Sequence, residues 1–204
     1  PKWEEVEIGL YNYQAQRIAG IYFDFFELPE DSYGIFMGES TAKGVQGVLF
    51  SAVLRGMAHT LSRLTTQPID MVTLLNDLLS NDTMDQIFTL SYLILSPKTN
   101  KLSYIACGHG HLWHALAGKQ EVKKLCADNF ALGIDPHFTF EQITIPWHVG
   151  DTLLLHSFSI FDDGSSNKKN DGQLTEEEFK ETFISNISLS PEKQVKALFR
   201  KLKH

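Results

Sequence analysis

The sequence has 204 residues, of which 43% are hydrophobic and 21% charged, a composition typical of a globular domain with a substantial core. Its formal net charge of −7 at pH 7 argues against nucleic acid or an anionic membrane surface as a partner, since both are negatively charged. The two cysteines, Cys107 and Cys126, form neither a CxxC motif nor a disulfide framework, which predicts free thiols in a reducing compartment.

The sequence shows neither a signal peptide nor an apolar membrane span. It begins at Pro1, and charged residues interrupt its most apolar stretch, Val45 to Leu64. We therefore expect a cytoplasmic protein, or the cytoplasmic part of a membrane-tethered sensor, excised from a longer chain. Neither an internal repeat nor a linker is visible, so residues 1–204 are expected to form a single domain.

Three early segments have the pattern of β-strands. Glu5 to Tyr11 alternates polar and apolar residues, which is the period of a half-buried strand. Further strands are predicted from about Ile18 to Leu28 and from Tyr33 to Met37. Pro29 to Ser32 has turn chemistry, so the last two strands are expected to form an antiparallel hairpin.

The pattern then changes to that of two helices. From Lys43, apolar residues recur every three or four positions, which predicts one long amphipathic helix. A second helix is predicted from Pro68, because proline suits the first helical turn. The predicted apolar faces are Val45, Val48, Leu49, Ala52, Val53, Met57 and Leu61 in the first helix, and Ile69, Val72, Leu75, Leu78 and Leu79 in the second.

The rest of the chain is predicted to return to strands and to end in helices. A polar surface loop is expected over Asp162 to Gly172. Helices are predicted to begin at Thr175, where Glu178 completes a capping box, and at Ser190. This order indicates an α+β fold with two packed, mainly antiparallel sheets flanked by helices. The predicted strands are Ile87 to Leu95, Lys101 to Cys107, Leu112 to Ala117, Phe138 to Ile145 and Thr152 to Ser157.

Six short segments, in this order, resemble the motifs of one protein family. They are Ala19 to Phe26, Gly38 to Gly44, Phe88 to Leu90, Ala106 to His109, Leu132 to Ile134 and Gly150 to Leu155. The family comprises the bacterial metal-dependent serine/threonine protein phosphatases of the SpoIIE and RsbU type, which are related to type 2C phosphatases (the PPM class). Each segment alone is weak evidence for the family. Six segments in the family's order, each on the strand, turn or helix where the family has it, are strong evidence. The resemblance implies the α-β-β-α sandwich of type 2C phosphatases.

The resemblance also implies a reaction and a metal centre. In the family, aspartates hold two Mn²⁺ or Mg²⁺ ions that activate a water molecule to attack phosphoserine or phosphothreonine. This chain departs from that ligand set at two positions. The family's metal-bridging aspartate, in Gly-Gly-Asp, is Ile21, and the aspartate of Tyr-Thr-Asp-Gly is Phe158. The chain ends before the family's last Asp-Asp-x-Thr motif, so we expect it to lack the final strand.

Three carboxylates are the candidate remaining ligands: Glu39, Asp24 and Asp163. Glu39 matches a family aspartate with one extra methylene, and its alternative role is a helix N-terminal carboxylate. For Asp24 we favour a structural or solvent-facing role. Asp162 and Asp163 replace the lost aspartate only if an insertion lies within a strand, which would shift its side chains to the opposite face. We therefore expect no metal cofactor, and Mn²⁺ or Mg²⁺ only if the site functions.

Several other residues have both a functional and a structural interpretation. Lys43 and Gly38 are candidates to face a phosphate or a partner, and Gly38 and Gly44 are expected to permit close backbone approach. His109, His111 and His114 could form a metal cluster, but a turn followed by a strand with exposed histidines is favoured.

The leading hypothesis is a phosphatase-like signalling domain that is catalytically inactive and acts by protein binding. By resemblance, its partner is a phosphorylated protein of the anti-anti-sigma-factor class, in partner-switching control of sigma factors, or a homologous phosphatase. The alternative is an active Mn²⁺- or Mg²⁺-dependent phosphatase with a rearranged site that uses Glu39 and Asp163. A purely structural module within a sensor is a third possibility.

Overall fold

A computed structural model describes residues 3–12, 20–42, 44–81, 86–108, 111–119, 121–127, 129–157 and 175–202. The described residues form strands and helices in an α+β arrangement, as predicted. They belong to two compact units. The strands are β1 (Ile21–Leu28), β2 (Ser32–Ser40), β3 (Phe88–Ser96), β4 (Lys101–Cys107), β5 (His111–Ala115), β6 (Val122–Leu125), β7 (Ile143–Pro146) and β8 (Thr152–His156). The helices are α1 (Gly44–Leu61), α2 (Pro68–Ser80), α3 (Glu176–Ser185) and α4 (Pro191–Leu202).

The larger unit, Gln14–His111 with Leu125–His148, contains a five-stranded antiparallel sheet in the order β1-β2-β3-β4-β7. Helices α1 and α2 pack on one face of this sheet. Side chains alternate between the two faces of a strand, so cross-strand partners share a face. Tyr22, Phe36 and Tyr92 therefore lie on the helix-covered face, where they belong to the main hydrophobic core. Ile21 and Glu39 lie on the other face.

The predicted apolar face of α1 is buried only at its C-terminal end, where Leu61 is buried and Met57 packs against the core. The other buried residues of the helix, Gly47, Phe50, Leu54 and Ala58, were not predicted. The rest of the predicted face of α1 is exposed: Val45, Val48, Leu49, Ala52 and Val53. On α2, Leu74 and Leu78 are also exposed. The reason is that α1 has apolar residues around most of its circumference, so periodicity alone does not select the buried side.

The smaller unit consists of Pro1–Tyr13, Leu112–Lys124 and Val149–His204. Its strands form a sheet in the order β6-β5-β8, together with α3 and α4. The core of this unit is built around Trp113, Phe179 and Phe183. Thr175 caps α3, accepting a hydrogen bond from the backbone N–H of Glu178, and the predicted capping box is confirmed.

Two strand predictions differ from the structure, and one strand was not predicted. Glu5 to Tyr11 is not a strand: Gly9 lies against the backbone of Pro191, and Tyr11 stacks on Phe199 with 4.0 Å between ring centroids. Local alternation predicted a strand here, but the chain crosses α4 rather than joining a sheet. The strand predicted from Phe138 is confined to Ile143–Pro146. The short strand β6 was not predicted, because its sequence is mostly polar.

Both cysteines are free, as predicted, with Cys107 buried and Cys126 exposed. Among the described helices, none combines the length and the hydrophobicity needed to cross a bilayer. The predicted surface loop, Asp162 to Gly172, lies outside the described residues.

Candidate functional site

Ile21 and Glu39, the two described residues that match the metal motifs of the resembled family, lie in one row of side chains on the face of the larger sheet away from α1 and α2. Ile21 on β1 is the direct cross-strand partner of Glu39 on β2, and Glu39 in turn pairs with Thr89 on β3. The three side chains therefore share a face, on the side away from α1 and α2. The row combines an isoleucine, a carboxylate and a hydroxyl.

Glu39 is the carboxylate of this row. Its side chain is half-buried, and burial raises the pKa of its carboxyl above the ordinary value. A hard divalent cation near the carboxylate would lower that pKa and oppose this effect. Glu39 is therefore the described residue best placed to accept a cation or a hydrogen-bond donor on this face.

The connection from β2 into α1 holds Glu39 in place. The backbone N–H of Ser40 donates to the carbonyl of Gly20 at 3.0 Å, and the N–H of Thr41 donates to the carbonyl of Ile87 at 3.1 Å. Gly20 and Gly47 then meet at the start of α1, where a Cβ on Gly20 would lie 2.9 Å from the Gly47 carbonyl oxygen. The loop geometry thus depends on residues without side chains at the points of closest contact.

The described residues do not fit a dinuclear metal centre. No group of three or more His, Cys, Asp or Glu side chains within the described ranges is arranged to hold an ion. Two cations a few ångströms apart need several oxygen ligands and negative charges. At the position opposite Glu39, Ile21 offers only a hydrocarbon side chain, and 36% of its surface is exposed.

Asp24, another candidate ligand, does not join this row with Glu39. It lies on the helix-covered face of β1, two residues along from Tyr22. The Tyr22 hydroxyl donates to Asp24 Oδ2 at 2.5 Å, and Nε2 of His59, on α1, lies 2.7 Å from the same oxygen. The backbone N–H of Phe25 donates to Asp24 Oδ1 at 2.8 Å, and Arg55 Nε lies 4.0 Å from Oδ2.

These contacts have clear electrostatic consequences. Burial acts to raise the pKa of Asp24, but hydrogen bonds from Tyr22, Phe25 and His59 hold it below its ordinary value. Burial, together with the hydrogen bond to Asp24, raises the pKa of the Tyr22 phenol well above its usual range. Asp24 is thus a charged link between β1 and α1, in agreement with the structural role favoured from the sequence.

Gly38 is buried beneath α1, so it does not face a phosphate or a partner as expected. A Cβ at this position would lie 2.6 Å from Leu54 Cδ2, which confirms that close packing requires glycine. Gly44 has a different role from the predicted one: it has a positive φ of 66° and open space around it, so it provides the left-handed backbone at the first residue of α1.

Of the other candidates, some lie outside the described residues and one belongs to the smaller unit. Lys43, Phe158, Asp162, Asp163 and His109 lie outside the described residues. His114 is in the smaller unit and is buried, contrary to the expectation of exposure. Its Nε2 lies 2.9 Å from Asp151 Oδ2, and Asp151 Oδ1 also accepts the backbone N–H of Ala117. His114 is therefore part of a buried hydrogen-bonding network.

Two buried asparagines that shape the larger unit were not found from the sequence. Asn76 on α2 donates to the carbonyl of Asp135 at 2.9 Å and accepts the N–H of Gly133 at 3.0 Å. Asn129 donates to the carbonyls of Ala106 and Glu141. The available signal for Asn76 was a polar residue on the apolar face of a helix, which calls for a hydrogen-bond partner.

Comparison with known proteins identifies the fold. The solved SiaA-PP2C domain of Pseudomonas aeruginosa is 14% identical, with a TM-score of 0.73, covering 90% of this chain and 73% of that one. The PP2C phosphatase domain of SpoIIE from Bacillus subtilis is 18% identical, with a TM-score of 0.72 and coverage of 91% and 53%. The RsbU and RsbW domains of Rv1364c from Mycobacterium tuberculosis are 16% identical, with a TM-score of 0.74 and coverage of 96% and 53%. The chain therefore has a PP2C phosphatase-like fold.

Sequence comparison gives the family. Protein IcfG of Synechocystis sp. (strain ATCC 27184 / PCC 6803 / Kazusa) is 22% identical over an alignment 221 residues long, which covers 94% of this chain and 34% of that protein. The chain thus spans about a third of the length of this relative. The family model for stage II sporulation protein E (SpoIIE) matches residues 29–204, which is most of the chain. This chain belongs to the SpoIIE family.

Proposed function

We propose that this domain is a phosphatase-like member of the SpoIIE family that does not catalyse hydrolysis and acts by binding a protein partner. The observation that carries the proposal is the pairing of Ile21 with Glu39. In the family's motif, the position of Ile21 holds the carboxylate that bridges both metal ions. An isoleucine side chain provides no oxygen ligand in any rotamer, so the bridging interaction is lost.

Contacts within the larger unit shape the loops near Glu39. Gly20 packs on Gly47 at the start of α1, and the Asn76 side chain accepts a hydrogen bond from the backbone N–H of Gly133. Both contacts are made between protein groups. A domain that keeps its shape but not its ligands can still recognise the surface of a former substrate.

The proposed partner is a protein. The solved RsbU domain of Rv1364c is accompanied by an RsbW domain, which supports recognition of protein surfaces by this fold. By family resemblance, we propose a phosphorylated protein of the anti-anti-sigma-factor class, in partner-switching control of a sigma factor, or a homologous active phosphatase. The net charge of −7 is consistent with a protein partner rather than nucleic acid.

Two assays on the purified domain test this proposal. The first measures release of phosphate from a serine-phosphorylated anti-anti-sigma-type protein, with and without Mn²⁺, using the SpoIIE phosphatase domain of Bacillus subtilis as positive control. The second measures binding of the same protein, phosphorylated and unphosphorylated, and of an active phosphatase of the family.

We expect no turnover above the protein-free blank and measurable binding to one of these partners. Metal-dependent turnover that disappears in the Glu39→Gln variant would instead establish the alternative, an active enzyme with a rearranged site that includes Glu39 and Asp163. Absence of both turnover and binding would contradict the proposed partner class.

A further inference from the structure

A groove in the larger unit lies between β1 and the C-terminal end of α1. Its volume is about 420 Å³, which is within the range of protein pockets that hold small molecules. Among the described strands, β1 is at the end of the five-stranded sheet, so no other described strand covers this side of it. Glu39 does not line the groove, which is therefore separate from the row that contains Ile21 and Glu39.

Three apolar side chains give the groove its floor and one of its walls: Phe25 and Phe26 of β1, and Pro29 in the turn that follows. Phe26 is 5% exposed, and its ring packs edge-on against His59 with 5.3 Å between the ring centroids. Phe25 is half-buried and Pro29 is exposed. Aromatic side chains fixed in this way favour a flat or bulky apolar group as the body of a ligand.

Two opposite charges line the groove without pairing to each other. Glu27, on β1, and Arg63, in the turn after α1, both line it, and both are exposed. Neither side chain makes an ion pair or a hydrogen bond with any residue that the structure describes. The groove therefore offers an acceptor for a cation on the β1 side and a donor for an anion on the α1 side.

His59 is held in a fixed orientation in the wall on the α1 side. Its Nε2 lies 2.7 Å from Asp24 Oδ2, and a carboxylate accepts hydrogen bonds, so Nε2 carries the proton of this contact. Within the described part of the chain, Nδ1 has no hydrogen-bond partner. His59 therefore adds a second polar contact on the side of the groove that carries Arg63.

We infer that this groove binds a free α-amino acid with an aromatic side chain. The ammonium group pairs with Glu27, the carboxylate pairs with Arg63, and the ring packs on Phe25 and Phe26. A ligand with only one charge would leave either Glu27 or Arg63 without a partner, whereas a zwitterion satisfies both. The inference does not depend on whether the domain hydrolyses phosphoproteins, because no residue of the groove belongs to the row of Ile21 and Glu39.

Three small probes that share one aromatic ring test the charge requirement. They are L-phenylalanine, which has both charges, 3-phenylpropionate, which has only the carboxylate, and 2-phenylethylamine, which has only the ammonium group. Titration of each probe into the isotopically labelled domain is followed by amide chemical shifts in NMR spectra. We expect L-phenylalanine to bind with a dissociation constant on the order of 1 mM, since the ligand is small and its charged partners are exposed.

The expected shifts are localised and saturable. They should include the amides of Phe25, Phe26, Glu27, His59 and Arg63, and the two singly charged probes should bind at least about threefold more weakly than L-phenylalanine. Absence of saturable shifts at about 20 mM L-phenylalanine, or saturable shifts at other residues only, would overturn the proposal. Equal affinity of L-phenylalanine and 3-phenylpropionate would also overturn it, because the site would then recognise an anion alone.

Two variants assign the charges. Arg63→Gln should weaken binding of L-phenylalanine and 3-phenylpropionate at least about threefold and leave 2-phenylethylamine within about twofold. Glu27→Gln should weaken L-phenylalanine and 2-phenylethylamine and leave 3-phenylpropionate unchanged within the same limit. The matched control is Arg55→Gln, at an exposed arginine of α1 that does not line the groove, which should leave the affinity for L-phenylalanine within about twofold. If Arg63→Gln and Arg55→Gln have the same effect, the assignment of the carboxylate to Arg63 is overturned.

Discussion

Ile21 and Glu39 face each other across the β1–β2 pairing, on the side of the sheet away from α1. The Glu39 carboxylate therefore lies beside a hydrocarbon side chain. Burial raises the pKa of Glu39 and makes its ionised form unfavourable in the folded state.

We predict that Glu39→Gln stabilises the domain at neutral pH. The pKa of a glutamate is about 4.3 in the unfolded chain. Because the pKa of Glu39 is higher in the folded state, the free energy of unfolding falls as the pH rises from about 4.3 towards the folded-state pKa. The gain should stay below about 1 kcal/mol, since solvent screens a half-buried side chain. It should disappear below about pH 4, where the glutamate is protonated in both states. Thermal unfolding from pH 4 to pH 8 measures this difference. A variant less stable than the parent at pH 7 would show that the folded protein favours the ionised form of Glu39, which would contradict the prediction.

We predict that Asp24→Ala destabilises the larger unit. The substitution removes the acceptor of the Tyr22 hydroxyl and of His59 and leaves a buried phenol unpaired. The cost should be about 1–3 kcal/mol at neutral pH. Because the pKa of Asp24 is lowered, its stabilising effect is complete above the unfolded value and is lost as the pH falls. The difference in the free energy of unfolding between the parent and the Asp24→Ala variant should therefore become smaller below about pH 4.

The matched control for Asp24 is Glu27→Ala, which removes an exposed carboxylate from the same strand. Its effect on urea unfolding should stay within about 0.5 kcal/mol. Equal destabilisation by the two substitutions would contradict the role assigned to Asp24.

We predict opposite effects for two glycines of α1. In Gly47→Ala, the new methyl group would lie 2.5 Å from the carbonyl oxygen of Ala42, so the loop from β2 must shift, at a cost of about 1–3 kcal/mol. In Gly56→Ala, the methyl group meets open space, and helix propensity should stabilise the protein by up to about 1 kcal/mol. Urea unfolding gives the change in the free energy of unfolding for each variant, and so separates the effect of close packing at Gly47 from that of helix propensity at Gly56. Equal changes in the two variants would show that α1 does not pack closely against this loop at Gly47.

We predict that Asn129→Ala destabilises the loop beside β4. The side chain donates to the carbonyls of Ala106 and Glu141 and accepts the N–H of Glu141, so truncation leaves buried groups unpaired. A loss of about 2–4 kcal/mol is expected. Asn81→Ala, at an exposed residue that ends α2, is the control and should have little effect in the same thermal unfolding assay.

The sequence predicted the elements of the fold better than their contacts. The bounds of β4 and the starts of α2 and α4 agree with the structure, because turn residues, Pro68 and Pro191 mark them locally. The buried face of α1 was not predictable, because Leu49 and Phe50 are both apolar and only tertiary packing decides between them.

The candidate site was predictable only where the sequence could be aligned with family motifs. The alignment matched both Ile21 and Glu39 with metal-ligand positions of the family, and the strand pairing places the two residues opposite each other. Asp24 belongs to the same motif, but strand alternation turns it to the opposite face, towards His59. The contact with His59 joins residues 35 positions apart, so a local pattern gives no signal for it.

The central claim is that replacement of the bridging carboxylate by Ile21 removed the metal centre. Calorimetric titration of Mn²⁺ into the purified domain, with Mg²⁺ for comparison and with the Ile21→Asp variant in parallel, tests it most directly. We predict millimolar or undetectable binding to the parent domain and tighter binding to Ile21→Asp, which restores a second carboxylate opposite Glu39. Tight binding of two ions by the parent domain would contradict the claim and would favour the active enzyme.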